Sequence, residues 1–132
     1  MRRRINKKSV NFVTLAIFAP LLILVGILGF LIPAEQSLTS GAPAYNLFHL
    51  FFGLVGLAAL WSKHELFISS FNAGFGLIDL YQAVASYVHL SPEQYFLWTT
   101  VDDILHLIIG FVLASIGFYG IVKSRASRSS TS

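Results

Sequence analysis

Asn46-Leu47-Phe48-His49-Leu50-Phe51-Phe52-Gly53 and Asp103-Ile104-Leu105-His106-Leu107-Ile108-Ile109-Gly110 are two copies of one pattern, fifty-seven residues apart. Each copy has a side-chain amide or carboxylate, a His three residues on, and a Gly four residues after that. Both open long apolar runs, where an ionisable group is costly and therefore informative. Four such runs span residues 10–32, 45–61, 66–90 (broken by Asp79) and 103–122. Each approaches the roughly 20 residues that a helix needs to cross a bilayer. Membrane strands do not fit, because polar and apolar residues do not alternate.

Composition agrees with this reading. The chain has 132 residues, 55% hydrophobic and 11% charged, with a mean hydropathy of +0.72. That leaves too little polar surface for a water-soluble domain of this length. The expected fold is an all-α membrane protein, a bundle of four transmembrane helices with almost no soluble part. A basic cytoplasmic tail (1–9) precedes the membrane domain (10–122), and a Ser-rich tail (123–132) with the composition of a disordered segment follows it.

Lys and Arg set the orientation. Arg2, Arg3, Arg4, Lys7 and Lys8 precede the first run, Lys63 lies between the second and third, and Lys123, Arg125 and Arg128 follow the fourth. The other two connections hold Glu35 and Glu93 but no Lys or Arg. All nine basic residues thus fall on one side, which the positive-inside bias makes the cytoplasm, so both termini are expected there. The first run exceeds the roughly 7 to 15 apolar residues of a secretion signal and lacks a nearby small-residue cleavage site, which favours a retained helix. The net charge of +3 belongs to the tails and suits anionic lipid headgroups rather than nucleic acid. With no Cys, the chain has no disulfide, thiolate ligand or thiol nucleophile.

Local signals divide the runs. Pro33 stops the first helix and Pro20 is expected to bend it, while the link Ser62-Lys63-His64-Glu65 is short enough to force antiparallel neighbours. Ser91-Pro92-Glu93-Gln94 reads as the capped start of a short external helix reaching Trp98. Tyr45, Tyr87, Tyr95 and Trp98 are expected to form an outer aromatic belt, with Trp61 and Tyr119 in an inner one. Because two helices separate the His blocks, both run from outside to inside. The first helix pair then maps onto the second about an axis along the membrane normal, a parallel internal repeat unlike the inverted repeats of many transporters.

Two constellations could carry chemistry. His49 and His106 are expected roughly 6 Å below the outer helix starts, at 1.5 Å per residue. Asn46 and Asp103, one turn earlier, could orient the rings, and Gly53 and Gly110, one turn deeper, leave room for a helix or a flat ligand. The copies are unequal, since Asp103, beside Asp102, brings negative charge where Asn46 does not. The bland alternative is that both blocks are helix caps followed by polar packing contacts. The His pair is also the candidate for a metal or haem, although haem propionates at the outer face would find no Arg or Lys. The second constellation is Asn72, Asp79, Gln82, Ser86 and His89, which share one helical face. A carboxylate at the depth of Asp79 must be paired, hydrated or neutral. The stripe reads either as a proton or ion relay from His89 through Gln82 to Asp79, or as inward-facing polar packing. No phosphate loop, nucleophile elbow or His-Glu metal motif occurs, so an enzyme is not expected.

These blocks resemble a bacterial membrane family catalogued as domain of unknown function 4383. Its members have an N-x-x-H-x-x-x-G block at the second helix, matched by Asn46, His49 and Gly53. A D-N-x-L-H-L-x-x-G block opens the fourth, matched by Asp102, Leu105, His106, Leu107 and Gly110, with Asp103 in place of Asn. The resemblance covers roughly residues 12–122 and implies a small four-helix protein of a bacterial plasma membrane, without assigning an activity. The leading expectation is a non-enzymatic multi-pass membrane protein. Its glycine-lined faces, Gly110 with Ala114 among them, suit association with a second copy or another membrane protein. The alternatives are a small proton- or ion-handling protein using Asp79 with the His pair, and a haem- or metal-binding subunit.

Overall fold

The computed structural model describes residues 8–131, with side chains described through Ser127. The expected basic tail therefore lies mostly outside the described residues. The chain forms α1 (Val10–Leu31), a 3-10 turn (Ala34–Gln36), α2 (Pro43–Ser62), α3 (Glu65–Val88), α4 (Glu93–Phe96) and α5 (Thr100–Thr131), with no strand among the described residues. Three of these, α1, α2 and the Thr100–Ser127 part of α5, are long and apolar enough to cross a membrane. α3 has the length, at 24 residues, but Asn72, Asp79 and Gln82 dilute its apolar character.

The bundle is apolar outside and holds polar side chains inside, among an apolar core. Leu21, Leu24, Phe51, Ile108 and Phe111 are exposed, whereas Asn11, Asn46, His49, Ser69, Asn72, Asp79, Gln82, Asp102 and His106 are buried. Water would penalise that arrangement and a lipid solvent favours it.

Capping explains the helix ends. Ser9 holds the start of α1 by accepting from Phe12 N–H at 3.0 Å, and α1 then runs unbroken through Pro20. Lys63 ends α2 in the left-handed conformation, and His89 ends α3 in the same way. The short external helix is present but spans only Glu93–Phe96. Ser91 does not cap it; its carbonyl instead accepts from the Tyr81 hydroxyl at 2.7 Å. α5 runs past Val122 through Thr131, so the tail expected to be disordered is helical over that stretch.

Two helix pairs form the bundle, α1 with α2 and α3 with α5. The link between α2 and α3 is short, but contact between those helices is slight, so chain adjacency does not make them principal partners. Within each pair small residues bring backbones close. A Cβ added to Gly76 would strike the Ala114 backbone, and one added to Gly117 would strike Ala73. The face carrying Gly110 and Ala114 is therefore occupied inside the chain by Gly76, which corrects the expectation that it was free for a partner. Gly53 meets Ala19 and Ile23 on α1, as Gly110 meets Gly76 and Leu80 on α3. Each of these residues in the first pair lies fifty-seven positions before its counterpart in the second. Between the pairs sits a cluster of Phe18, Phe48, Phe52, Phe71 and Phe75 with Leu22 and Leu113.

Two glycines of α3 and α5 separate close approach from helix propensity. Gly117→Ala is expected to destabilise the folded protein by about 1–3 kcal/mol, because the methyl group meets backbone that cannot yield. Gly74 has open space around it, so Gly74→Ala is expected to be neutral or to stabilise by about 0.5–1 kcal/mol. Denaturant unfolding in detergent, followed by helicity, compares the two variants.

Candidate functional site

The candidate site is built from the start of α5. Thr99 precedes that helix, and its hydroxyl accepts from Asp102 N–H at 3.2 Å while the Asp102 carboxylate accepts from Thr99 N–H at 2.9 Å. This reciprocal cap satisfies backbone donors that every helix start leaves free. The same carboxylate reaches further. Its Oδ2 accepts from Ser40 N–H at 2.9 Å, and its Oδ1 accepts from the Tyr45 hydroxyl at 2.6 Å. Asp102 is 1% exposed and Tyr45 3%. One buried carboxylate thus joins α5, the loop before α2, and α2 itself. Around it, Thr99 donates to Leu38 O at 2.8 Å and Ser40 Oγ donates to Phe96 O.

The histidines flank this centre. His49 is buried, and its Nδ1 lies 2.7 Å from Tyr45 O, one turn back on its own helix, with the Tyr45 ring packed 4.3 Å away centroid to centroid. His106 is also buried, stands edge-on to Trp98 at 6.3 Å, and has no hydrogen-bond partner for Nδ1. Both rings lie within electrostatic reach of Asp102 and of one another's neighbourhood at this end of the bundle.

The residues expected to orient the rings do something else. Asn46 Nδ2 donates to Gly41 O at 2.8 Å and its amide lies against Gly29, leaving Oδ1 unpartnered. Asp103 is half-buried with one unpartnered oxygen and makes no hydrogen bond to His106. The groups that matter lie one residue earlier, at Tyr45 and Asp102. Tyr45 and His49, like Asp102 and His106, are four residues apart and share a helical face. A signal for Asp102 was present in Thr99-x-x-Asp102, a capping pattern before an apolar run. Tyr45 and Trp98, expected in the outer belt, are instead buried and half-buried participants, whereas Tyr87 and Tyr95 are exposed.

The α3 stripe divides into parts. Gln82 Nε2 donates to Asp79 Oδ1 at 3.2 Å, and Trp98 Nε1 donates to Gln82 Oε1 at 3.0 Å. Ser86 is only half-buried. His89 lies outside the stripe altogether, because the helix ends at Val88 and His89 turns into solvent to pair with Glu93 at 2.9 Å. At the opposite end, Asn72 Nδ2 donates to Asn11 Oδ1 at 2.9 Å, Asn11 Nδ2 donates to Ile116 O at 3.0 Å, and Ser9 donates to Glu65 Oε1 at 2.7 Å. Neither Asn11 nor Glu65 stands out in the sequence, since single polar residues near helix ends are common. The Phe75 cluster separates the two polar ends.

Among the described residues, no three His, Asp or Glu side chains gather as metal ligands would. No family model matches the chain, and neither the curated proteins nor the solved structures searched contain a match.

The roles of the adjacent carboxylates are separable. Asp102→Ala strands Tyr45 OH, Ser40 N–H and Thr99 N–H, and is expected to cost about 3 kcal/mol, since each buried unpaired group costs roughly 1–3 kcal/mol. Asp103→Ala removes an oxygen that already lacks a partner and is expected to change stability by less than about 0.5 kcal/mol. Thermal unfolding of the purified variants reads the difference.

Proposed function

We propose that this chain is a non-enzymatic, multi-pass protein of a bacterial plasma membrane, in which α1, α2, α3 and α5 all cross the bilayer and both termini lie in the cytoplasm. The observation that carries the reading is the saturation of Asp102. Its two oxygens accept from Tyr45, Ser40 and Thr99, so the most buried carboxylate is committed to holding the bundle together. With about four acceptor positions on a carboxylate, the donors from Tyr45, Ser40 and Thr99 occupy those of Asp102.

Other polar groups are engaged within the chain in the same way, whereas His106 Nδ1, Asn46 Oδ1, Asn72 Oδ1 and Asp103 Oδ1 have no partner. Asn11 with Asn72 and Ser9 with Glu65 tie α1 to α3 at one end, while Gln82 and Trp98 tie α3 to the outer loop at the other. On α3, Phe75 of the phenylalanine cluster lies between Asn72 and Asp79. α3 crosses as the fourth span because its polar face is turned inward while Leu77, Val84 and Val88 face out. The N-in, C-in topology rests on the distribution of Lys and Arg.

A parallel duplication accounts for the contacts between the pairs. Phe18 meets Phe75 edge to face at 5.7 Å, and Tyr45 donates to Asp102. Each contact joins residues fifty-seven positions apart, as happens where equivalent side chains meet on a pseudo-two-fold axis. Membership of the family of unknown function is in keeping with this organisation and adds no activity to it. The exposed apolar surface contacts lipid and is the surface available to a second copy or another membrane protein.

A second reading has one observation in its favour. Asp79 is 3% exposed, and the hydrogen bond described for it comes from an amide, not a cation. Intramembrane acids often handle protons. Proteoliposomes separate the readings. The structural role predicts proton flux equal to that of protein-free vesicles, unchanged in Asp79→Asn. A flux present in the wild type and abolished in Asp79→Asn would replace the structural role with proton handling.

A further inference from the structure

The end of the bundle opposite Asp102 holds a cavity of about 800 Å³. Lys8 before α1, Lys63 after α2 and Lys123 on α5 all line it, so three separate parts of the chain each bring a lysine to its border. Among the described residues Glu65 is the one carboxylate on the lining, and it is engaged by Ser9 at 2.7 Å and Ser69 at 3.3 Å. Charge on the lining is therefore three positive against one negative.

All three lysines are exposed, and two of them rest against aromatic rings. The Lys8 ammonium sits 4.4 Å from the centroid of the Phe12 ring, and that of Lys123 sits 5.9 Å from the Tyr119 ring. Attraction between a cation and a ring face holds each at the wall of the cavity. Lys63 is fixed through its backbone, in the left-handed conformation at φ 59°, with its N–H bonded to Leu60 O at 3.1 Å. The N-terminal ends of α1 and α3 border the same space, as does the C-terminal end of α2 at Lys63, so its positive charge comes from the lysines and not from helix dipoles. The apolar walls, Phe12 and Ile68 among them, make it amphipathic.

We propose that this cavity binds the phosphate group of an anionic ligand. Phosphate presents several equivalent oxygens to several point-charge ammoniums at once, which a single carboxylate cannot do as well. The phosphate belongs either to the headgroup of an anionic phospholipid, with the apolar walls receiving the glycerol and upper chains, or to a soluble phosphate. The lipid source rests on the membrane reading above; the cavity chemistry does not.

Native mass spectrometry of the full chain in detergent tests this with three probes: phosphatidylglycerol, phosphatidylcholine and inorganic phosphate. The expected result is saturable binding of phosphatidylglycerol, weakened at least about tenfold in the triple variant Lys8→Gln, Lys63→Gln, Lys123→Gln and retained in the corresponding triple Lys→Arg variant. Phosphatidylcholine, carrying its own cation, is expected to bind weakly to all three proteins. Inorganic phosphate binding with the same lysine dependence, without phosphatidylglycerol binding, assigns the soluble source and leaves the site standing. The proposal is overturned if neither anion distinguishes the wild type from the Gln variant, or if phosphatidylcholine binds as well as phosphatidylglycerol. The topology is read separately by labelling Ser62→Cys and Ser91→Cys from either side of the membrane, which a chain without native Cys permits. A failure of the topology is thereby distinguishable from a failure of the site.

Discussion

A carboxylate taken out of water must find donors for both of its oxygens, and the way Asp102 does so organises one end of this protein. It caps its own helix through Thr99, fixes the loop before α2 through Ser40, and holds α2 through Tyr45. Two helix pairs whose apolar surfaces offer little specificity in lipid are thereby given one arrangement. Lipid chains are as apolar as leucine, so shape and hydrogen bonds, rather than hydrophobic burial, select helix partners in a membrane.

Shape acts lower in the bundle. Gly76, Gly110 and Gly117 let α3 and α5 approach until their backbones touch, and Gly53 does the same for α2 on α1. Between the pairs, the phenylalanine rings centred on Phe75 fill the space that the glycines leave near the axis. Polar contacts tie both ends, where Asn11 and Asn72 mirror in function what Tyr45 and Asp102 do at the other, and the Asp79–Gln82 pair lies between them on α3.

Helices and spacing were legible because they follow from apolar run length and from two blocks that repeat at a fixed offset. The inward stripe of Asn72, Asp79 and Gln82 was legible for the same reason, a period of 3.6. The stripe failed at His89, since a periodicity cannot show where a helix stops, and His89 lies beyond the stop. The site was displaced by one residue. Asn46 and Asp103 drew notice as polar residues beside each His, yet which residue of a helix start turns inward depends on how the pairs dock, a long-range fact. Tyr45 looked like an interfacial anchor, and only its meeting with Asp102 shows it as a core residue. The length of α5 was hidden by its composition, because Ser and charged residues continue a helix once it is established.

The dependence of the whole arrangement on the Tyr45–Asp102 contact is most directly tested by a double-mutant cycle. Unfolding free energies would be measured in detergent for the wild type, Tyr45→Phe, Asp102→Ala and the double variant. If this hydrogen bond ties the helix pairs together, the two losses are strongly non-additive, with a coupling of at least about 1 kcal/mol. Losses that add to within about 0.5 kcal/mol would contradict it, and would show the two residues stabilising their own helices independently.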